Sequence, residues 1–313
     1  MKAKHNLFLC DDILNALESL NIVVTHFDGE KPTSPLLFRS LRSPHESGVY
    51  FLSSSIEIPK EIKNSILITN TNYQELQTNF VIQVENPQEV FYRLMNYFFE
   101  NRNEVGIHET AVIHPEAEIA DTAYIGPYCV IGKASISDGV FLHSHVVVFD
   151  GSNIQANVTI EPHSTIGATG VAWIRSTDGE RIRQPQIGGV IVKENTFLGS
   201  DVTIVRGSVN ESTVIGKNCV IAHGSKIGHG SEVGDEVHFA NNISIAGNVM
   251  IGDFCFLGAA SVVRPRVVIA PHTTVAAGCV VVKDVEEEGG LVVGVPGKLK
   301  SKPDQMSGVP INH

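Results

Sequence analysis

The sequence predicts a mainly β protein: a long parallel β-helix of hexapeptide repeats preceded by a small α/β domain. Three observations carry this. From Ile215 to Val281 an aliphatic or aromatic residue falls on every sixth position, through Ile221, Ile227, Val233, Phe239, Ile245, Ile251, Leu257, Val263, Ile269 and Val275. Two residues before each sits something small or β-branched, as at Thr213, Cys219, Ser225 and Cys255. Residues 1–106 lack this period and read as mixed strand and helix signals. A period of six matches neither the 3.6 of a helix nor the 2 of a meander strand. It marks a solenoid of short strands, three hexads to a coil. The large residue fills the inside of a triangular prism and the small one fits near a crowded corner. Each coil buries its apolar face only against its neighbours, so the array has to be long and capped.

In the first domain, Asp11 or Asp12 is placed to cap a helix running to Leu20. Ile22–Phe27, Val49–Leu52, Ile66–Thr69 and Phe80–Val84 are β-branched or aromatic runs bounded by polar or turn residues, and read as strands. Asn86-Pro87 starts a helix over Gln88–Phe99, with Asn as cap and Pro at the first position, and Asn101–Val105 is the hinge. The array, spanning 107–285, opens at Ile113, Ile119, Ile125 and Ile131. It resumes after an eleven-residue step at Leu142, Val148, Ile154, Ile160 and Ile166. A loop insertion over 168–188 breaks it with Trp173, Arg175, Arg181, Arg183 and Pro185; such loops leave a solenoid from one edge, often the binding side. The period returns at Leu198 and Ile204 and slips by eleven again before the long run. Each step of eleven reads as two hexads less one residue, which a turn absorbs. The 23 hexad positions predict roughly seven to eight coils. Residues 286–313 form an end cap and a loose polar tail.

A length of 313 residues fits two domains. The net charge of −11 (23 basic against 34 acidic residues) argues against a nucleic-acid partner. No apolar run approaches membrane-spanning length and no signal segment opens the chain, so the expectation is a cytoplasmic protein without membrane insertion. Cys129, Cys219, Cys255 and Cys279 all occupy the small inward slot and read as buried thiols rather than a disulfide set; Cys10 lies outside the array.

A strand-rich domain ending in Asn-Pro and a helix, then a long hexad array, is one part of a resemblance. Within the array, Pro185-Gln186-Ile187-Gly188, Arg206-Gly207 and Ile227-Gly228-His229 follow in order. Together these features resemble the UDP-3-O-acylglucosamine N-acyltransferases of lipid A synthesis, a family of hexapeptide-repeat enzymes. The resemblance implies a left-handed helix sense, a homotrimer with active sites in clefts between prisms, and no permanently bound cofactor. It also implies that Phe51 stacks on the nucleotide base and that Asn86-Pro87 belongs to the same pocket.

The departures are specific. Val205 stands where the family has an acid before Arg-Gly, Arg266 where it has a late histidine, and Leu52-Ser53-Ser54-Ser55 breaks its pattern. The family continues into helices that contact acyl carrier protein, whereas this sequence ends soon after Gly297. Its Gly294-Val295-Pro296-Gly297-Lys298 ending is similar to hexapeptide enzymes that use coenzyme A thioesters. The expectation is therefore an N-acyltransferase with acyl-CoA as co-substrate. It would acylate the amine of a nucleotide-linked (dTDP or UDP) amino-deoxy sugar for surface polysaccharide synthesis. The alternative is the acyl-carrier-protein-dependent lipid A enzyme itself. A γ-carbonic-anhydrase-like metalloenzyme is a lesser reading, since the histidine spacing does not match a zinc site and no metal is expected. A non-catalytic scaffold is another.

Acyl transfer to an amine needs the amine neutral at attack and an oxyanion stabilised, tasks suited to a histidine and a backbone N–H. His223 and His229 share one local slot, two after a repeat residue, but lie on different corners. The resemblance selects His229 as base, and Gly247, one coil above it, is the candidate oxyanion donor. His223, His238, Asn241 and Asn242 are candidate substrate contacts, some from a second chain. Arg264, Arg266, Lys283 and Lys298 are candidate partners for coenzyme A phosphates. His143 and His145 are expected to be structural or surface residues.

Overall fold

In the computed structural model, residues 7–52, 58–71, 78–99 and 104–300 are described. Ser53-Ser54-Ser55, the Asn101–Asn103 part of the hinge and the tail from Ser301 lie outside them. The chain divides into two compact units between Asn103 and Glu104.

The first unit is a five-stranded sheet with two helices. Its strands are β1 (His26–Asp28), β2 (Leu37–Phe38), β3 (Gly48–Leu52), β4 (Ile66–Thr69) and β5 (Phe80–Gln83), ordered β1-β5-β4-β3-β2. Only β1 runs antiparallel to its neighbour. The central strand β4 is buried along its whole length, the pattern of a sheet covered on both faces. Helix α1 (Cys10–Ser19) buries Cys10, Ile13, Ala16 and Leu17, spaced three to four apart as one helical face. The cap differs from expectation: Asp12 is the third helical residue and accepts the backbone N–H of Leu9 at 2.7 Å, which ties the turn from inside. The Ile22–Phe27 expectation gives way to β1, because only His26–Asp28 lies opposite β5. Helix α2 (Pro87–Phe99) starts as read, with Asn86 Oδ1 accepting the Glu89 N–H at 3.2 Å.

The second unit is a three-faced parallel β-helix. Sheets of nine, eight and eleven strands form its faces. The first face runs from Val112–Ile113 to Val280–Val281, the second from Glu118–Ile119 to Val268–Ile269, and the third from Gly106–Ile107 to Lys298–Lys300. Repeat residues such as Ile221, Phe239, Leu257 and Val275 have no exposed surface, and the small slot is filled by Cys219, Ser225, Ser261 and Thr273, also fully buried. Burying each such isoleucine or leucine stabilises the fold by roughly 1.5–3 kcal/mol before chain entropy is set against it. A third slot, three residues after the repeat residue, is left-handed in backbone conformation in many hexads: φ is 58° at Asn157, 60° at Asn242 and 63° at Arg266. That conformation costs most residues roughly 1–2 kcal/mol, and Asn tolerates it best, which explains the recurring asparagines.

Nine strands on the first face mean nine coils, more than the seven to eight expected. Part of the difference is Gly106–Ile107, before the first counted position, and Gly189–Val192, at the end of the insertion; part lies in the two steps of eleven. The first conceals a complete side, Ser135–Ile136, reached by a corner one residue short. The second conceals none: Thr203–Val205 leads directly from the first face to Ser212–Ile215 on the second, and the surplus residues form a loop, 206–211. The large insertion also departs between these faces, from Thr165–Ala168 to Gly189–Val192, one coil earlier. Two loops on consecutive coils thus build up one edge of the prism. The insertion carries an antiparallel hairpin, Trp173–Arg175 with Arg181–Arg183, in which Arg181 lies over the Trp173 ring at 4.4 Å. The array closes as Leu291–Val293 adds in parallel to Thr274–Val275 and Lys298–Lys300 folds back antiparallel.

Candidate functional site

The built-up edge between the first and second faces gathers five of the sequence candidates. His229 and Gly247 occupy it on consecutive coils, the His229 carbonyl accepting the Asn248 N–H at 2.8 Å. One coil further, Arg264 and Arg266 flank the same edge, Arg266 donating its N–H to Gly247 O at 3.1 Å; Lys283 follows in the next. All three cations are exposed. Coils lie about 4.8 Å apart, so Arg266 stands roughly 10 Å along the edge from His229.

The imidazole of His229 is half-buried and held from both sides. On the coil below, Ser208 Oγ lies 3.0 Å from Nδ1. On the coil above it meets Gly247: a Cβ added there would sit 2.7 Å from Cε1 and 2.8 Å from Cδ2, and nearer still to Nε2. Gly247 is therefore required by space, since its missing side chain is the room the ring occupies. Its N–H donates to no acceptor among the described residues, so it is available to a ligand.

Ser208 belongs to the 206–211 loop, which is tightly fixed. Gly188 and Ile187, at the foot of the large insertion, donate to Gly207 O at 3.1 Å and Ser208 O at 3.2 Å. Glu211 accepts the N–H of Ser208 at 2.5 Å and of Val209 at 3.1 Å. Backbone N–H bonds, including one from Glu211 itself, hold the Glu211 carboxyl below the usual carboxylate range. Thr213, buried, donates to Val205 O at 2.6 Å and accepts the Gly230 N–H at 2.9 Å, joining the loop's root to the His229 turn. Arg206 lies across the edge, with Nε donating to Gly167 O at 3.1 Å and a terminal nitrogen to Asp150 O. The Arg206-Gly207 motif is thus a structural clamp at the base of the insertion.

The remaining candidates lie elsewhere. His223, Asn241 and Asn242 sit on the corner between the third and first faces. His223 Nδ1 accepts the Ser200 N–H at 2.9 Å, and Asn242 fills the left-handed slot. His238 is on the third face, edge-on to Phe256 with ring centroids 5.1 Å apart. Lys298 begins the last strand and is exposed. His143 pairs with Glu161 at 3.3 Å, and His145 stacks between Tyr128 and His163. Arg175 and Arg181 are engaged within the insertion's own hairpin, both against the Trp173 ring, with Arg175 also donating to Gly179 O at 3.0 Å.

In the first unit, Phe51 lines a cavity of about 480 Å3 with Phe38, Arg39, Phe91, Tyr92 and Met95. The Phe51 ring lies 5.0 Å from Phe91 and 6.2 Å from Tyr92. Arg39 Nε is buried without a hydrogen-bond partner among the described residues. Asn86 is committed to capping α2 and does not line this cavity.

Ser208 and Glu211 were not legible as site residues. Reading the second step of eleven as one hexad with five surplus residues looped out, facing a histidine one coil later, would have exposed them.

Among the described residues no group of three or more His, Cys, Asp or Glu could hold a metal ion, and no helix is long and apolar enough to cross a membrane. No family model matches the chain. It is similar to the UDP-3-O-acylglucosamine N-acyltransferase of Polynucleobacter asymbioticus, 26% identical over 240 residues, covering 65% of this chain and 67% of that one. To the enzyme of the same name from Acinetobacter baylyi it is 29% identical over 181 residues, covering 51% and 50%. The chain thus spans about half to two thirds of the length of these relatives. Among solved structures it is similar to the UDP-N-acetylglucosamine O-acyltransferase of Moraxella catarrhalis, with a TM-score of 0.57 and 29% identity over 62% of this chain and 73% of that one. The UDP-N-acetylglucosamine acyltransferase of Francisella novicida gives 0.56 and 28%, over 62% and 70%. These likenesses agree with the expected left-handed β-helix of the hexapeptide-repeat acyltransferases.

Proposed function

We propose that this protein is an N-acyltransferase that acylates the amine of a UDP-linked, 3-O-acylated glucosamine, as in lipid A synthesis. The observation that carries it is His229, held between Ser208 and Gly247 on the edge where both loops emerge. The Nε2 edge of the imidazole accepts the proton as the amine nitrogen attacks the thioester carbonyl. The unpaired Gly247 N–H takes the oxyanion, and the thiolate leaves as the tetrahedral intermediate collapses. The Phe51 cavity receives the pyrimidine, with the orphaned Arg39 Nε–H available to one of its carbonyl oxygens.

The curated relatives named above favour this substrate over the dTDP-sugar and surface-polysaccharide expectation, which takes second place. They equally favour acyl carrier protein, the donor implied by the resemblance, over acyl-CoA. Arg264, Arg266 and Lys283 suit the phosphate of either donor, because both present phosphopantetheine. A homotrimer would bring His238, Asn241 or Asn242 of another copy into each site, and Lys298 remains a candidate donor contact.

The test is thiol release with a UDP-linked 3-O-acylglucosamine acceptor, offering acyl carrier protein and CoA thioesters in parallel to the native protein and His229→Ala. Release with acyl carrier protein that falls at least about a hundredfold in the variant is expected. Release only from CoA thioesters with a dTDP-sugar would return the case to the second reading.

A further inference from the structure

At several coils the buried small slot holds a hydroxyl that ties its coil to the next. Ser164 Oγ donates to Gly199 O at 2.8 Å and accepts the Val202 N–H at 3.1 Å. Thr196 Oγ1 donates to Gly216 O at 2.7 Å and accepts the Cys219 N–H at 3.0 Å. A buried hydroxyl satisfied in both directions fixes the height and register of the turn it meets. Along the edge that holds His229, the slot is apolar at Ala117, Ala134, Val190, Val249 and Val267, and the Ser152 hydroxyl has no partner among the described residues. Hydroxyls that bridge coils stand there at Thr213 and Ser231, directly beneath the His229 turn and the Gly247 turn.

In regular coils the left-handed residue of a turn donates its N–H to a carbonyl on the coil below: Asn248 to His229 O at 2.8 Å, Asn242 to His223 O at 2.9 Å, Arg266 to Gly247 O at 3.1 Å. Beneath the His229 turn the 206–211 loop interrupts that coil, and Gly230 donates instead to Thr213 Oγ1 at 2.9 Å. The loop that brings Ser208 to the imidazole thus displaces the regular acceptor, and a side-chain oxygen replaces it. Thr213 gives its one hydroxyl proton to Val205 O at 2.6 Å, so its orientation is set from both sides. One coil up, Ser231 Oγ donates to Ala246 O at 2.9 Å and accepts the Val249 N–H at 3.2 Å, closing on both flanks of Gly247. Neither side chain has exposed surface, so removing a hydroxyl leaves a buried N–H without its acceptor.

Resting on the reading of His229 as base and Gly247 as oxyanion donor, we infer that Thr213 and Ser231 are positioning residues for acyl transfer. Thr213 sets the height of the imidazole over Ser208, and Ser231 sets the height of the Gly247 N–H over the imidazole. Neither touches substrate. The attacking nitrogen and the carbonyl oxygen must meet their two partners at the same moment. A shift of one turn against the other is therefore felt in kcat rather than in substrate binding.

The experiment compares four hydroxyl deletions in the full chain: Thr213→Val and Ser231→Ala, beside Thr196→Val and Ser164→Ala, which remove the same pair of bonds at other corners. For each, kcat, KM, the thermal midpoint and amide hydrogen exchange are read. All four should lower the midpoint by similar amounts. Only Thr213→Val and Ser231→Ala should lower kcat, about tenfold to a hundredfold with KM unchanged, and they should speed exchange at Gly230 and Val249 respectively. Thr213→Ser and Ser231→Thr keep the hydroxyl and should restore kcat. Should a deletion fail to fold, Thr213→Cys and Ser231→Cys weaken the same bonds with a side chain the slot already holds at Cys219 and Cys255, and native kcat in them overturns the inference. Equal kcat losses in all four deletions, a loss the hydroxyl-keeping variants do not restore, or faster exchange with native kcat also overturn it. Full turnover by H229A sinks the base reading instead, while exchange at Gly230 and Val249 still reports whether the hydroxyls hold the turns.

Discussion

Gly247→Ala isolates the position of one ring. The added Cβ would meet Cε1 of His229 at 2.7 Å, against 3.4 Å for ordinary van der Waals contact, so the imidazole must yield at least 3.4 − 2.7 = 0.7 Å, and more at Nε2. It cannot yield toward Ser208, whose Oγ is already at 3.0 Å from Nδ1. The ring must therefore swing away from the edge and stretch that bond. A misplacement of this size costs a reaction roughly a hundredfold. Gly247 is not in the left-handed region, and alanine keeps the N–H, so the backbone and the oxyanion donor survive. The assay is kcat and KM of Gly247→Ala beside its thermal midpoint: kcat should fall about a hundredfold with the midpoint within a few degrees of native. Native turnover in a correctly folded variant would refute the stacked geometry and, with it, the assignment of base and oxyanion donor.

Three further outcomes follow from other parts of the molecule. Phe239→Ala empties one of the largest fully buried side chains of the array and should destabilise it by about 3–5 kcal/mol, read by denaturant unfolding at fixed protein concentration. All five cysteines are buried, and burial pushes the Cys219 thiol up to about 12, so a thiol reagent should label the native protein far more slowly than the unfolded chain. The Glu211 carboxyl sits lower in the folded protein than in the unfolded chain. Its contribution is therefore full above the ordinary carboxylate range and is lost as pH falls below it, so the amide shifts of Ser208 and Val209 should titrate under that range.

The array was legible because its packing is periodic. Each inward position is dictated by the same corner and the same neighbour above and below, so Ile215 to Val281 declares its register residue by residue. Strands β3, β4 and β5 were readable for a related reason: an uninterrupted apolar run fits a sheet covered on both faces. What failed was the interpretation of breaks. Two steps of equal length, 131 to 142 and 204 to 215, hide opposite events: one contains an extra side and the other contains none. Sequence spacing counts residues but not faces, and only the sheet a strand joins distinguishes a shortened corner from a loop.

That ambiguity fell on the residues that matter most. His229 is visible in the sequence because it occupies a repeated slot, yet a slot alone does not separate it from His223. The difference is made by what the preceding coil presents. Below His223 stands the backbone N–H of Ser200, which asks the ring for a lone pair; below His229 stands the hydroxyl of Ser208, which can either give or take a hydrogen. Nothing within either hexad records this. The loop that supplies Ser208 exists because the chain leaves the hexad period, and it stays rigid because Gly188 and Gly207 leave room for it: a Cβ on either would collide with the Glu211 backbone. In a solenoid the regular residues make the scaffold uniform, so chemical individuality has to enter where regularity is broken. The two glycines that permit the close approach are therefore as necessary to the proposed site as the histidine itself.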